Sequence, residues 1–337
     1  MYTAKRPILL GIVGDSAAGK TTISRGLTRV LGETQCTHVC TDDYHKYDRN
    51  ERKERNISAL HPDCNYIDIM QLHVERLHYG QPILKPVYDH SNGTLVRPEY
   101  IRPQQFVIAE GLLGFATPTL RNFYDVKVFL KPVEPLRTVW KIKRDTTKRG
   151  YTREQVLEAL HKREHDSATY IRTQEREADI VVTFYPPDGV DLEETNAPLN
   201  VRLVLRPTIP HPDLSYLLDD NSRGIRLKLG RDHGLPVDFL EIDGNVSFEQ
   251  AHKIAEAIWK HMPDLQPVAD ELIGNYEGGE GDVHSSPLAI TQLLIAYHLL
   301  RKYQNRTNIP FATPVAALSR LSSNSNGTQP QQHEVET

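Results

Sequence analysis

The stretch Pro7 to Thr21, PILLGIVGDSAAGKT, decides the fold. Its first half is an apolar run without polar alternation, which predicts a strand buried on both faces. The run ends in G-x-x-x-x-G-K-[ST], Gly14 to Thr21. Beyond it, Ile23, Leu27, Val30 and Leu31 recur at helical spacing, so Lys20 to Leu31 is predicted to be a helix with one apolar face. Strand, glycine loop and helix in this order make a phosphate cradle. The glycines let backbone N–H groups converge on an anion, and the helix N-terminus adds partial positive charge. Lys20 can neutralise the β and γ phosphates, and the Thr21 hydroxyl can ligate Mg²⁺. The predicted nucleotide-binding set is Gly14, Asp15, Ser16, Ala17, Ala18, Gly19, Lys20, Thr21 and Thr22.

Outward from the loop the grammar repeats. THVCT, QFVIAEG, DVKVFLK and ADIVVTFY read as strands, and Ile67, Met70, Val74 and Leu77 mark a further helix. Strands alternating with helices mean βαβ units, hence an α/β fold with a mostly parallel sheet covered on both faces. Residues 1–190 form this core. From about residue 198, NVRLVLRP, IRLKLGR and VDFLEID follow one another without a helix between them, which predicts an antiparallel extension. Helical patterns return at Ser247 to His261 and Pro287 to Tyr303, so 191–318 is assigned to the same domain. Residues 319–337 are polar and lack apolar anchors, and are predicted to be a disordered tail.

Composition excludes several classes. The chain has 337 residues, and 44 Asp and Glu against 40 Lys and Arg leave a net charge of −4, so nothing in bulk asks for nucleic acid or a membrane surface. Cys36, Cys40 and Cys64 match no zinc or redox spacing and favour a reducing cytoplasm. No apolar run approaches the roughly 18 residues of a membrane span. The N-terminal ILLGIV is too short for a signal sequence.

Other acids stand at strand ends, where sites form in open parallel sheets. Glu110 follows QFVIA, placed to help hold Mg²⁺. In TDDYHKYDRNERKER, Thr41 to Arg55, strand alternation would send Asp42 and Asp43 to opposite faces, so only one can face the phosphates. The segment Arg137 to Arg153, RTVWKIKRDTTKRGYTR, holds seven basic residues and one acid. At about 100° per residue, Lys141, Arg144, Asp145, Lys148 and Arg149 share one arc of a helix, a basic lid over a γ-phosphoryl group.

GDSAAGKTT, CTDDYHKYDR, KPVYDHSNG, EGLLGF and WKIKRDTTKRGYT, in this order and at these intervals, closely resemble the phosphoribulokinase and uridine kinase family, above all its cyanobacterial and plant branch. The resemblance implies a P-loop kinase that uses ATP and Mg²⁺ on a small-molecule alcohol. For that branch the reaction is phosphorylation of the 1-hydroxyl of D-ribulose 5-phosphate to ribulose 1,5-bisphosphate, the acceptor used in carbon fixation. It implies Asp42 as catalytic base, with Lys20, Lys141 and Arg144 as catalytic cations and Asp145 as a second catalytic acid. His45, Arg49, Tyr88, His90 and Arg149 fall on sugar-phosphate positions, and Thr21, Asp42 and Glu110 on metal positions. Arg49, His45 and His90 would supply the fixed cations that a phosphorylated acceptor needs. A homodimer is expected. Uridine or cytidine kinase activity, or that of another small-alcohol P-loop kinase, and a non-catalytic nucleotide-binding regulatory role are the alternatives. Two positions depart from the branch: Leu113 stands where His is usual, and Ala18 where thiol-regulated members carry the cysteine that would pair with Cys40.

Overall fold

An eight-stranded sheet in the order β2-β5-β1-β6-β7-β8-β10-β9 organises the chain. The computed structural model describes residues 6–190, 192, 198–218, 224–261, 273–277 and 281–307; the predicted tail lies outside them. The elements are β1 (Ile8–Gly14), α1 (Lys20–Leu31), β2 (Cys36–Cys40), α2 (Arg49–Glu54), α3 (Ile67–His78), β3 (Ile83–Asp89), β4 (Thr94–Ile101), β5 (Phe106–Gly111), α4 (Pro118–Arg121), β6 (Val126–Leu130), α5 (Glu134–Lys148), α6 (Arg153–Asp166), β7 (Ile180–Tyr185), β8 (Asn200–Leu205), β9 (Ile225–Asp232), β10 (Leu235–Ile242), α7 (Phe248–Lys260), β11 (Asn275–Glu277), β12 (Asp282–His284) and α8 (Ser286–Thr307).

β2, β5, β1, β6 and β7 run parallel, because each is joined to the next through crossover chain. β8, β10 and β9 extend the same sheet antiparallel, as the helix-free succession of β runs predicts. Strand alternation splits the core into two layers. Ile8, Leu10 and Ile12 of β1 face one layer, shared with α1, α7 and α8, and Leu9 and Val13 face the other, shared with α3 and α4. α8 is buried on every side from Pro287 to Leu300, and its sequence there is mostly apolar, with Thr291, Gln292 and His298 as buried polar exceptions. It packs on α1, where Gly26 leaves room for the buried Gln292 side chain. Gln292 Nε2 donates to the Thr22 carbonyl (3.1 Å), and its Oε1 accepts the Gly274 N–H (2.8 Å).

The structure corrects one local expectation and places one motif. β2 stops at Cys40, and Thr41–Asp43 forms a 3₁₀ turn. Asp42 and Asp43 still diverge, but because successive residues of a 3₁₀ turn point about 120° apart, not because of strand pleating. KPVYDHSNG lies on a separate hairpin, β3 paired with β4, which projects from the main sheet. Its register shifts between Lys85 and Val87, around Pro86, which cannot donate a ladder hydrogen bond. No helix of the described residues is long and apolar enough to cross a membrane.

Candidate active site

β1 delivers its last residue, Gly14, against the end of β6. A Cβ there would lie 2.5 Å from the Leu130 carbonyl oxygen, so only glycine fits. The loop then turns through positive φ at Ala17 (67°) and Gly19 (92°) before α1 begins at Lys20. Lys20 Nζ folds over the loop and donates to the carbonyls of Gly14 (2.8 Å) and Asp15 (2.9 Å). The buried Asp15 carboxylate accepts the Ser167 hydroxyl at 2.7 Å, and Arg137 Nη1 donates to the Ser16 carbonyl at 3.1 Å. The cradle is therefore tied from both sides.

The acids gather next to it. Thr21 Oγ1 donates to Glu110 Oε1 (3.2 Å), and Ser24 Oγ donates to Oε2 (2.7 Å). β5 ends at Gly111, where a Cβ would overlap Thr41 Oγ1 and come within 2.7 Å of Asp42 Oδ1. That bare backbone lets the 3₁₀ turn approach, and the Leu112 N–H donates to Asp42 Oδ1 at 2.8 Å. Asp43 turns the other way, buried. It pairs with Lys85 and accepts the Tyr88 N–H at 3.2 Å, holding the β3–β4 hairpin to the turn. Thr21, Glu110 and Asp42 thus present hydroxyl and carboxylate oxygens around the loop, a hard donor set suited to Mg²⁺.

The basic helix closes the third side. α5 ends at Lys148, and Arg149 and Gly150 (φ +70°) belong to the turn before α6. Asp145 is buried at the centre of this face. It accepts from Lys141 Nζ (2.8 Å) and Arg144 Nε (2.8 Å), with Arg149 Nη1 at 3.4 Å. Burial opposes the charge on Asp145, but the hydrogen bonds from Arg144 and Lys141 outweigh it and hold the carboxyl below its ordinary value. Burial also lowers Lys141, to about 8, with Asp145 opposing. Arg144 Nη2 reaches the Ser16 hydroxyl at 3.0 Å, joining helix and loop. Lys148 leaves the group and pairs with Glu277 of β11, which also pairs with Arg25 of α1.

These elements wall one cavity of about 1140 Å³ that extends to either side of the phosphate loop. One arm is apolar and includes Trp140, Phe184, Leu199 and Tyr276. The other holds His45, Arg49, Tyr88, His90 and Arg149 beside Asp42. His45 is buried. Its Nδ1 lies 2.7 Å from Asn65 Oδ1, and since Asn65 Nδ2 donates to two carbonyls, Nδ1 is the protonated nitrogen. Burial lowers His45 to about 4, with Arg52 acting in the same direction against Asp42 and Asn65. His90 is lowered too, first by burial. Burial thus works against the fixed positive charge expected of both histidines, whereas the guanidinium groups of this cavity keep their charge regardless.

The Phosphoribulokinase / Uridine kinase family model matches residues 9–190. The phosphoribulokinase of Synechocystis sp. is 36% identical over 256 residues, covering 71% of this chain and 77% of its own. The chain belongs to the phosphoribulokinase / uridine kinase family. The chloroplastic phosphoribulokinase of Mesembryanthemum crystallinum is 31% identical over 294 residues, covering 77% of this chain and 73% of its own. A uridine kinase of Oceanobacillus iheyensis is 29% identical over 192 residues, covering 56% and 89%. The solved phosphoribulokinase from Rhodobacter spheroides has the same fold, with a TM-score of 0.54, 19% identity, and coverage of 77% and 97%. As a kinase-family site, this one contains groups that motif reading passed over: Arg52, Tyr151 and Arg163 line the same cavity. Arg52 lay within the quoted run of charges without distinction, and nothing in the sequence near Arg163 signalled a site. Leu113 is buried in the core layer that includes Phe115 and Leu120 and does not line the cavity.

Proposed function

We propose that this chain transfers the γ-phosphoryl group of ATP to the 1-hydroxyl of D-ribulose 5-phosphate, yielding ribulose 1,5-bisphosphate. The observation that carries it is the position of Asp42, pinned by the Leu112 N–H where the phosphate loop meets an arm walled by arginines. A phosphorylated acceptor needs such cations, and the phosphoribulokinases similar to this chain are named for that acceptor class.

In this reading the loop backbone and Lys20 hold the β and γ phosphates, and the apolar arm takes the nucleobase. Thr21, Glu110 and Asp42 would hold Mg²⁺, directly or through water, and the bound ion would offset phosphate charge. Asp42 orients the sugar hydroxyl in line with the γ-phosphorus. It accepts the proton late, because a carboxylate is far too weak a base to ionise an alcohol beforehand. Lys141, Arg144 and Arg149 stabilise charge on the transferring group. Asp145, ionised among them, sets their positions and has no proton to give. His45 offers the lone pair of Nε2 to a sugar hydroxyl. The open edge at β9 is where two copies would pair as a homodimer, and three free cysteines accord with a cytoplasmic setting.

The test is an ADP-release assay with ribulose 5-phosphate, uridine, cytidine and glycerate as acceptors. Preference for ribulose 5-phosphate by at least a hundredfold in kcat/KM is expected. Preference for a nucleoside would move the chain to the uridine kinase side of its family, and ATP binding without transfer to any acceptor would indicate a non-catalytic nucleotide-binding protein.

A further inference from the structure

α6 does not end the helical path at Asp166. The chain runs on into a π turn, Ser167–Ile171, and a 3₁₀ segment, Arg172–Glu177. π turns are rare and recur at functional sites. This one leads to Gln174, whose side chain is buried against the loop that leaves β5. Residues 112–117 of that loop are neither helix nor strand, so no ladder of backbone hydrogen bonds fixes them. Gln174 supplies partners instead. Its Nε2 donates to the Leu112 carbonyl (2.7 Å) and the Tyr170 carbonyl (2.8 Å), and its Oε1 accepts the Phe115 N–H (2.8 Å).

Turning the carboxamide over would set its oxygen against two carbonyls and its nitrogen against an N–H, so the environment admits one orientation. Leu112 is therefore held at both of its backbone polar groups, the carbonyl by Gln174 and the N–H by Asp42 Oδ1. Any shift of the loop at Leu112 moves the bond on which the Asp42 carboxylate rests. The same segment reaches the nucleotide side of the site, where the Ser167 hydroxyl donates to the Asp15 carboxylate of the phosphate loop at 2.7 Å. Phosphate loop and Asp42 thus share one brace.

We propose that Gln174 is a positioning residue for phosphoryl transfer: by fixing Leu112 it aims the Leu112 N–H, and through that N–H it sets the carboxylate of Asp42. The proposal rests on the reading of Asp42 as the acid that orients the acceptor hydroxyl, and Gln174 lies outside every motif quoted for the family resemblance. A displacement of about 1 Å at a reacting group costs about 10² in rate, so a buried carboxamide that never touches substrate can still govern kcat. Substrate binding does not pass through this linkage, and the two Michaelis constants should not depend on it.

The test uses Gln174→Met, close in length and without any of the three bonds. Gln174→Glu, which keeps the bond from Phe115 and when ionised cannot donate to Leu112, is the second variant, and a thermal melt selects a protein folded at the assay temperature. kcat is expected to fall at least tenfold, with KM for ATP and for ribulose 5-phosphate within twofold of wild type. Placed in Asp42→Ala, the same substitution should cost less than a further twofold, because the group it positions is gone. A kcat within twofold of wild type, or an equal fold-loss with and without Asp42, overturns the proposal; the second result is what a purely structural glutamine gives. Should the wild type not turn over ribulose 5-phosphate, the acceptor reading fails separately. Amide hydrogen exchange then decides the linkage. Exchange at the Leu112 N–H that speeds up at least tenfold while Leu10 and Ile12 of β1 keep their rates upholds it, and an unchanged Leu112 rate overturns it.

Discussion

The Leu112 backbone N–H donates to Asp42 Oδ1 at 2.8 Å, which ties this acid to the end of the strand that carries Glu110. One oxygen of Asp42 is thereby fixed, and in the proposed reaction the other serves the acceptor hydroxyl. The contact exists because Gly111 has no side chain to hold the turn away.

Asp42→Ala should lower kcat by about 10² to 10⁴, the range of a positioned base, or roughly 3 to 5.5 kcal/mol of transition-state stabilisation. KM for ATP should stay within a few-fold, because in the proposed mechanism Lys20 and the loop backbone bind the phosphates independently. Gly111→Ala should reproduce much of this loss with Asp42 still present, as its Cβ would displace Thr41 and Asp42 together. Steady-state kinetics of both variants checks the pair, and near-normal turnover in Asp42→Ala would remove that residue from the chemistry.

How far the sequence carries to this point differs by element. β1, the phosphate loop and α1 were legible because their signals are local: a buried strand, a motif and an apolar helical face within one short stretch. The division of work between Asp42 and Asp43 was legible in outcome, but its cause is a turn rather than strand pleating. The β3–β4 hairpin was not, since Pro86 and Pro98 interrupt its alternation and its place depends on Lys85 meeting Asp43 across the fold. Arg52 and Arg163 come from helices far apart in the chain, and only tertiary packing brings them to one cavity. The charge state of His45 was illegible for the same reason, because burial decides it.

Lys141 predicts an alkaline limit to activity. Burial lowers its ammonium group to about 8 against the bond to Asp145. As pH rises through 8 the charge is lost, Asp145 keeps one cation fewer, and kcat should fall along a limb centred near 8. Lys141→Arg, which stays charged, should move that limb upward at a reduced plateau rate. The stability effect has the opposite direction. An unfolded lysine keeps its proton to about 10.5, so between 8 and 10.5 the unfolded state binds more protons and this group makes stability rise with pH. A pH–rate profile of both proteins, beside denaturant midpoints at pH 7 and 9, reads the two effects separately.

Activity should be indifferent to dithiol reductants. Burial, reinforced by Asp42, Asp43 and Glu110, pushes the Cys40 thiol well above its ordinary value, so the reactive thiolate is scarce. Its phosphate-loop counterpart is Ala18, and Cys36 and Cys64 are likewise free. Assays after incubation with oxidised or reduced dithiothreitol should agree within twofold, and a several-fold activation by thioredoxin would contradict this.

Gly26 and Gln292 should be energetically coupled. A Cβ at Gly26 would overlap the Gln292 carboxamide, which is fully buried and held at both ends by the Thr22 carbonyl and the Gly274 N–H. With no open space to swing into, Gln292 must give up one or both bonds or push α8 from α1. Gly26→Ala should therefore destabilise by about 1–3 kcal/mol from overpacking, with a further cost of about 1–3 kcal/mol for any buried group left unpaired. Gln292→Ala alone leaves a cavity and an unpaired Gly274 N–H, and should also destabilise. In the double variant the new methyl group enters space that the glutamine has vacated, so the two losses should fall short of their sum by at least about 0.5 kcal/mol. A double-mutant cycle from urea denaturation measures this directly. Strict additivity would mean that α1 and α8 relax apart easily, and that the contact at Gly26 does not set their spacing.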